Sequence, residues 1–176
     1  MTFAETAKAF DEHVFTPSAG TERSYRNALG TFATGVTVVT TSTPDGPIGI
    51  TVNSFASVSL DPPLVLWSPA KNSSRHKVFI EASHFAIHVL SAEQHSLSSL
   101  FTRGGRCFDK VPWHENPEGV PVISGTLGRF ECRLASIHDA GDHTIVIGHV
   151  LRAAHREGEP LCVSRGAYGR FAMAAG

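Results

Sequence analysis

The sequence predicts a mainly β protein, an antiparallel barrel rather than a doubly wound sheet. Short runs rich in Val, Ile and Thr recur along the chain, separated by Pro, Gly and Asp turn chemistry. Helical periodicity is confined to a few stretches, and strands do not alternate regularly with helices as a parallel sheet requires.

The elements follow in order. Residues 1–20 read as a polar arm ending in Pro17, Ser18 and Gly20, and residues 21–176 as one domain. From Glu22 to Phe32 the apolar residues Tyr25, Ala28, Leu29 and Phe32 recur at helical spacing, predicting an amphipathic helix on one side of the core. Val36–Thr41 and Ile48–Val52, joined through Thr43-Pro44-Asp45-Gly46, predict a hairpin. Ser57–Leu60 and Leu64–Trp67 flank Asp61-Pro62-Pro63, where the prolines interrupt a continuous ladder. A short helix capped by Ser73 or Ser74 runs to Ala82, and Phe85–Leu90 returns to strand.

Ser91-Ala92-Glu93-Gln94 matches a capping box, Leu97, Leu100 and Phe101 supply an apolar face, and Gly104-Gly105 ends that helix. Residues 106–121 read as a long loop, a length more often functional than idle. Phe130, Cys132 and Leu134 alternate with Arg129, Glu131 and Arg133, the pattern of a strand buried on one face. Thr144–Leu151 is a second long strand.

With 176 residues, 41% hydrophobic and 18% charged, the chain suits one globular domain. A formal net charge of −1 leaves no basic footprint for nucleic acid. There is no secretory signal and no apolar run of bilayer length, so the expectation is a soluble cytoplasmic protein with no membrane role. Cys107, Cys132 and Cys162 form neither a disulfide framework nor a zinc knuckle, and Cys132 is expected to fill core. Dinucleotide and phosphate fingerprints of the Rossmann and P-loop kinds are missing, as is a nucleophile elbow.

Thr51-Val52-Asn53-Ser54-Phe55-Ala56-Ser57-Val58-Ser59 sets small polar side chains between two hydrophobic strands. Such a strand end offers donors and acceptors to the pyrimidine edge of an isoalloxazine ring with little bulk; as a strand with solvent-facing hydroxyls it needs no ligand. Lys71-Asn72-Ser73-Ser74-Arg75-His76-Lys77 mixes hydroxyls, an amide and cations at a helix start, suited to a phosphate or to plain solvation. His138-Asp139-Ala140-Gly141-Asp142-His143 lacks the further ligands a metal site needs, so no metal is expected. A histidine held by Asp142 is suited instead to orienting a nicotinamide or moving a proton near neutral pH.

Together these pieces resemble the flavin reductase family, the small reductase components of two-component flavin-dependent monooxygenases. Five blocks carry the similarity between Tyr25 and Phe171: Phe32 to Thr40, Thr51 to Leu66, Phe85 to Leu90, Gly141 to Val150, and Tyr168-Gly169-Arg170.

The resemblance implies an FMN-binding split β-barrel, antiparallel and of Greek-key type with a few flanking helices, working as a homodimer with flavin near the subunit interface. It implies reduction of FMN or FAD by NADH or NADPH, and delivery of the reduced flavin to a monooxygenase component. Thr51, Val52, Asn53, Ser54 and Ser57 would line the flavin, with Ser59 beside it; Asn72, Ser73 and Ser74 would begin the phosphate contacts. His143 matches the residue near the nicotinamide, and Tyr168 and Arg170 a motif close to the same pocket.

The chain departs from the family in having Arg106-Cys107-Phe108 where an acidic-basic-Phe triplet is common, with Lys110 or Arg106 as the replacement cation. Val52 and His88 stand where Ala and Asn are common. Two rivals remain open: a flavin carrier without turnover, and an FMN oxidase of the pyridoxamine-phosphate type.

Overall fold

The computed structural model describes residues 12–172. Of the expected N-terminal arm, residues 1–11 lie outside the described residues, and 12–20 form neither helix nor strand. The main body is a seven-stranded antiparallel sheet in the order β3-β2-β6-β9-β10-β5-β4. Its strands are β2 (Thr37–Thr43), β3 (Gly46–Val52), β4 (Ala56–Leu60), β5 (Pro63–Trp67), β6 (His84–Val89), β9 (Gly128–Ala140) and β10 (His143–His155). A smaller sheet pairs β1 (Thr34–Gly35) with β11 (Leu161–Ser164), and β11 with β12 (Ala167–Arg170). The helices are α1 (Glu22–Leu29), α2 (His76–Glu81) and α3 (His95–Arg103).

The predicted hairpin is present, β2 pairing with β3 from Thr37↔Val52 to Thr43↔Gly46, and the next two predicted strands also pair, β4 with β5 from Ala56↔Leu66 to Leu60↔Pro63, so the ladder reaches Pro63. β3 and β4 are the two edges of the large sheet, yet only Asn53, Ser54 and Phe55 separate them in sequence. Four backbone steps reach about 14 Å at most, so the sheet must curl until its edges face each other. Those edges are not paired among the described residues, so the expected barrel does not close. A seam carrying Asn53 and Ser54 remains open at one end.

The core sits inside the curl, where Val39, Ile50, Val65, Ile87, Cys132 and Val146 meet Phe79 of α2. Trp67, fully buried, meets Phe79 edge-on with ring centroids 5.2 Å apart. Gly148 is required by this packing: a Cβ there would lie 2.6 Å from Phe85 Cζ and 2.9 Å from Cys132 Cβ. Burial pushes the Cys132 thiol up to about 12, as expected of a core residue. A second cluster places Leu97 and Phe101 of α3 against Val36 and Val38. Both faces of β2 are therefore covered, which is why Thr37–Thr41 is buried throughout.

Three expectations are corrected. The helix from Glu22 ends at Leu29, not Phe32, and none of its residues is buried; Tyr25, Leu29 and Phe32 are exposed, so its apolar side does not pack on the core. Neither serine caps α2: Arg75 occupies the N-cap, and the Ser73 hydroxyl accepts from its backbone N–H. The segment 106–121 is not one long loop: Phe108–Lys110 forms a 3₁₀ turn, and Trp113–Glu115 (β7) and Pro121–Ile123 (β8) form a hairpin. Val120, in the turn, and Val122 of β8 pack on Ala86, covering the second face of the sheet.

That cover explains why Glu131, expected to face solvent, is 3% exposed. Its carboxylate accepts from Asn116 Nδ2 and Arg152 Nε, each at 2.8 Å, and lies 2.9 Å from Arg129 Nε. The capping box at Ser91 is present as predicted, leading through a 3₁₀ turn into α3.

His88 is fully buried between two backbone groups. Nδ1 lies 3.0 Å from Val38 O, and Nε2 lies 3.0 Å from Ile123 N, an obligate donor. The ring is thus neutral with its proton on Nδ1, and burial lowers its pKa from 6.5 to about 4. Folding favours the neutral form, so the stabilisation is complete above the unfolded value of 6.5 and fades as pH falls towards 4. It amounts to about 3 kcal/mol. Chemical denaturation at pH 7 and pH 4 is expected to show that fall in the wild type and a smaller one in His88→Asn; equal falls would exclude His88 as the source.

Candidate active site

The seam between β3 and β4 places part of the predicted polar segment in a cavity. Thr51, Val52 and Asn53 line a space of about 180 Å³ with Val36, Thr102, Val163 and Tyr168. The Thr51 hydroxyl donates to Ser98 O at 2.8 Å, and the Tyr168 hydroxyl lies 3.1 Å from Ser98 Oγ, so α3 fixes both walls. Asn53 is exposed at the rim, and its side chain makes no hydrogen bond among the described residues. A second cavity of about 390 Å³ shares Asn53 and Val163 with the first.

Ser54 is less available than its sequence position suggests. Its hydroxyl accepts from Ser68 N at 2.9 Å and lies 3.3 Å from Ser68 O, holding the seam to the end of β5. Ser57 and Ser59 flank an irregularity in the β4–β5 pairing; Ser57 is exposed and Ser59 half-buried.

His143 belongs to a different corner. It starts β10 and bridges to Ala70, while Lys71 N donates to Asp142 O and Lys71 Nζ pairs with Asp139 at 2.5 Å. These contacts bring His143 towards Asn72, Ser73 and Ser74. The Asp142 carboxylate can only accept, so its 2.7 Å contact fixes the proton of His143 on Nδ1 and leaves Nε2 unengaged. The hydrogen bond from His143 in turn holds the Asp142 carboxyl below its ordinary range.

Ser74 lines a cavity of about 490 Å³ with Arg75, Arg103, Gly104, Gly105 and Arg106. Arg75 is not a free phosphate ligand: Nη1 donates to Gly49 O at 3.1 Å and Phe101 O at 2.7 Å, and Nη2 to Thr102 O at 3.1 Å. It instead ties the end of α3 to β3. Arg106 bonds the backbone of Asp45 and Gly46 and still faces the cavity; Lys110 does not line it. Arg103 was missed in the sequence, since its position beside Ser74 depends on where α3 ends.

Tyr168 and Arg170, expected close to the His143 pocket, are not joined to His143 by any cavity or hydrogen bond within the described residues. Tyr168 lies with Thr51–Asn53 and packs edge-on against His95 at 4.5 Å, while Arg170 pairs with Glu159 at 2.7 Å. Among the described residues no three His, Cys, Asp or Glu side chains converge as a metal site would require.

A curled antiparallel sheet with a cavity at its open seam places the chain among mainly β proteins, a class in which small ligands sit at the mouth of the sheet. The chain belongs to the flavin reductase like domain family, whose model matches residues 29–172. It is 70% identical over 171 residues to FMN reductase (NADH) SmoA of Agrobacterium fabrum, covering 97% of this chain and 98% of that protein. To the reductase subunit HsaB of a flavin-dependent monooxygenase of Rhodococcus jostii it is 41% identical, covering 83% and 76%. Among solved structures, the NADH:FAD oxidoreductase of Streptomyces globisporus superposes with a TM-score of 0.85 at 36% identity, covering 95% and 97%.

Proposed function

We infer that this chain is an NADH-dependent flavin reductase that takes FMN or FAD at the seam and supplies the reduced flavin to a monooxygenase component. The observation that carries the reading is the pair of adjoining cavities sharing Asn53, at the open edge of a curled sheet. Their lining suits a flavin: an unengaged amide at Asn53, a Thr51 hydroxyl left to accept because its proton goes to Ser98 O, the Tyr168 hydroxyl, and apolar walls from Val36, Val52 and Val163. NADH is favoured as donor because the relatives named by their reductant name NADH.

The open curl is read as a split barrel, and the working unit as a homodimer. The seam with Tyr168 and the corner with His143 are two incomplete halves in one chain, and a second copy would bring one against the other. The apolar residues left uncovered, Tyr25, Leu29 and Phe32 on one side and Val58 and Leu60 on another, supply surface for that pairing.

When bound, the flavin supplies hydride acceptance from the nicotinamide. The chain's residues do the rest. Asn53 and Thr51 orient the polar edge of the ring, and the valines exclude water from its flank. Ser74, Arg103 and Arg106 hold the phosphate, with Asn72 and Ser73 alongside. Nε2 of His143 orients the nicotinamide or moves a proton.

The test mixes purified protein with NADH and free FMN or FAD and follows absorbance at the nicotinamide band. NADH oxidation that depends on flavin is expected. Binding of flavin without oxidation would instead indicate a carrier, and turnover only with an amine would indicate an oxidase.

A further inference from the structure

A second groove opens from the seam, away from Ser74. The 390 Å³ cavity that shares Asn53 and Val163 with the seam runs between the end of α1 and the turn joining β11 to β12. Arg26 and Phe32 stand on one wall and Arg165 on the other. Past Arg165 it continues into a cavity of about 710 Å³ beneath residues 12–15. These volumes are those of ligand clefts, about 300–1,000 Å³.

The turn is the informative part. Arg165 and Gly166 form a two-residue hairpin loop with φ of 50° and 75°, a geometry that favours Asn-Gly. Arg165 is the only non-glycine residue with positive φ among the described residues. Its backbone is pinned by the bond from Arg165 N to Gly30 O at 2.7 Å, whereas its guanidinium makes no hydrogen bond or ion pair among the described residues. A strained position is therefore occupied by an arginine whose side chain the fold itself does not use, and such outliers gather at ligand clamps. The Thr34 hydroxyl, on the same cavity, is buried without a partner.

We propose that this groove receives the adenosine diphosphate arm of NADH, its nicotinamide lying at the seam, with Arg165 and Arg26 on the phosphates and the exposed Phe32 ring against the adenine. The inference rests on the reading of the seam as the ring site. Two arginines match a diphosphate through forked, charge-assisted hydrogen bonds, and an exposed aromatic ring offers a stacking face. Glu12 lines the outer cavity with Arg165 and does not line the inner one. In FAD the inner phosphate of such an arm is the flavin phosphate placed at Ser74, which leaves this groove to NADH.

Arg165→Asn removes the cation while suiting the turn, so its Tm should equal or exceed that of the wild type. In calorimetry without flavin, 5′-ADP is expected to bind the wild type and to bind Arg165→Asn about tenfold more weakly, the size of one lost charged hydrogen bond. In parallel, the Kd values of FMN and of FAD should stay unchanged while the KM of NADH rises about tenfold. ADP that fails to bind the wild type, ADP that binds the variant equally well, or an unchanged KM for NADH overturns the proposal. Because the ADP titration needs no flavin, a wild type that binds ADP but takes up neither flavin sinks the ring-site reading and leaves the groove standing.

Discussion

Replacing His143 with alanine is expected to slow flavin reduction by NADH about a hundredfold, at the lower end of what a positioned acid–base group contributes. Oxidised flavin should still bind, because the seam residues Thr51–Asn53 do not contact His143. Asp142 locks the ring with its proton on Nδ1, so a single defined acceptor, Nε2, is presented at a half-exposed position. Asp142→Asn tests the same arrangement: an amide can hold either tautomer, so a smaller loss is expected from the variant that keeps the ring. Stopped-flow reduction at saturating NADH separates this from a binding effect. An unchanged rate for His143→Ala would falsify its part in the reaction.

The largest stability loss is expected from Glu131→Ala. The carboxylate is nearly inaccessible and joins Arg129, Arg152 and Asn116, while Arg152 also pairs with Glu118. Removing one member of a buried charged network costs about 3–5 kcal/mol when the others stay buried. Here the Arg129 and Arg152 side chains are 29% and 40% exposed and can turn to water. A loss of about 2–3 kcal/mol is therefore expected, seen as a fall in Tm of roughly 4–12 °C.

Burial alone would raise the Glu131 pKa, but the hydrogen bonds from Asn116 and Arg152 and the nearby Arg129 outweigh it and lower the value. The sign follows: a depressed carboxyl contributes stability above its unfolded pKa and loses it as pH falls through the folded one. This acid limb lies below the usual carboxylate range, whereas that of His88 spans about 6.5 to 4. Glu131→Gln should remove the lower limb and leave the upper one, as denaturation across pH 3–7 would show.

Much of the strand order was legible because its signals are local. Turn residues at Asp45-Gly46 and the Ser91–Gln94 box depend on neighbours within a few positions and appear as expected; the strand read from Phe130, Cys132 and Leu134 is present, but its alternation is broken where Glu131 is buried. The seam was legible in part: Thr51 to Asn53 line a cavity, but Ser54 turns its hydroxyl onto Ser68, a partner set by where β5 ends.

The outcomes that composition and periodicity left open all involve residues distant in sequence. An arginine beside two serines reads as a phosphate ligand until α3 arrives and takes its guanidinium with three carbonyls. A glutamate between two arginines reads as surface until the β7–β8 hairpin lies over it. Tyr25, Leu29 and Phe32 form an apolar stripe whose spacing shapes a helix, yet no residue of that helix is buried and all three side chains stay exposed. Pattern along the chain encodes which face of an element is apolar; what covers that face, and which polar group is left for chemistry, depends on packing across tens of residues.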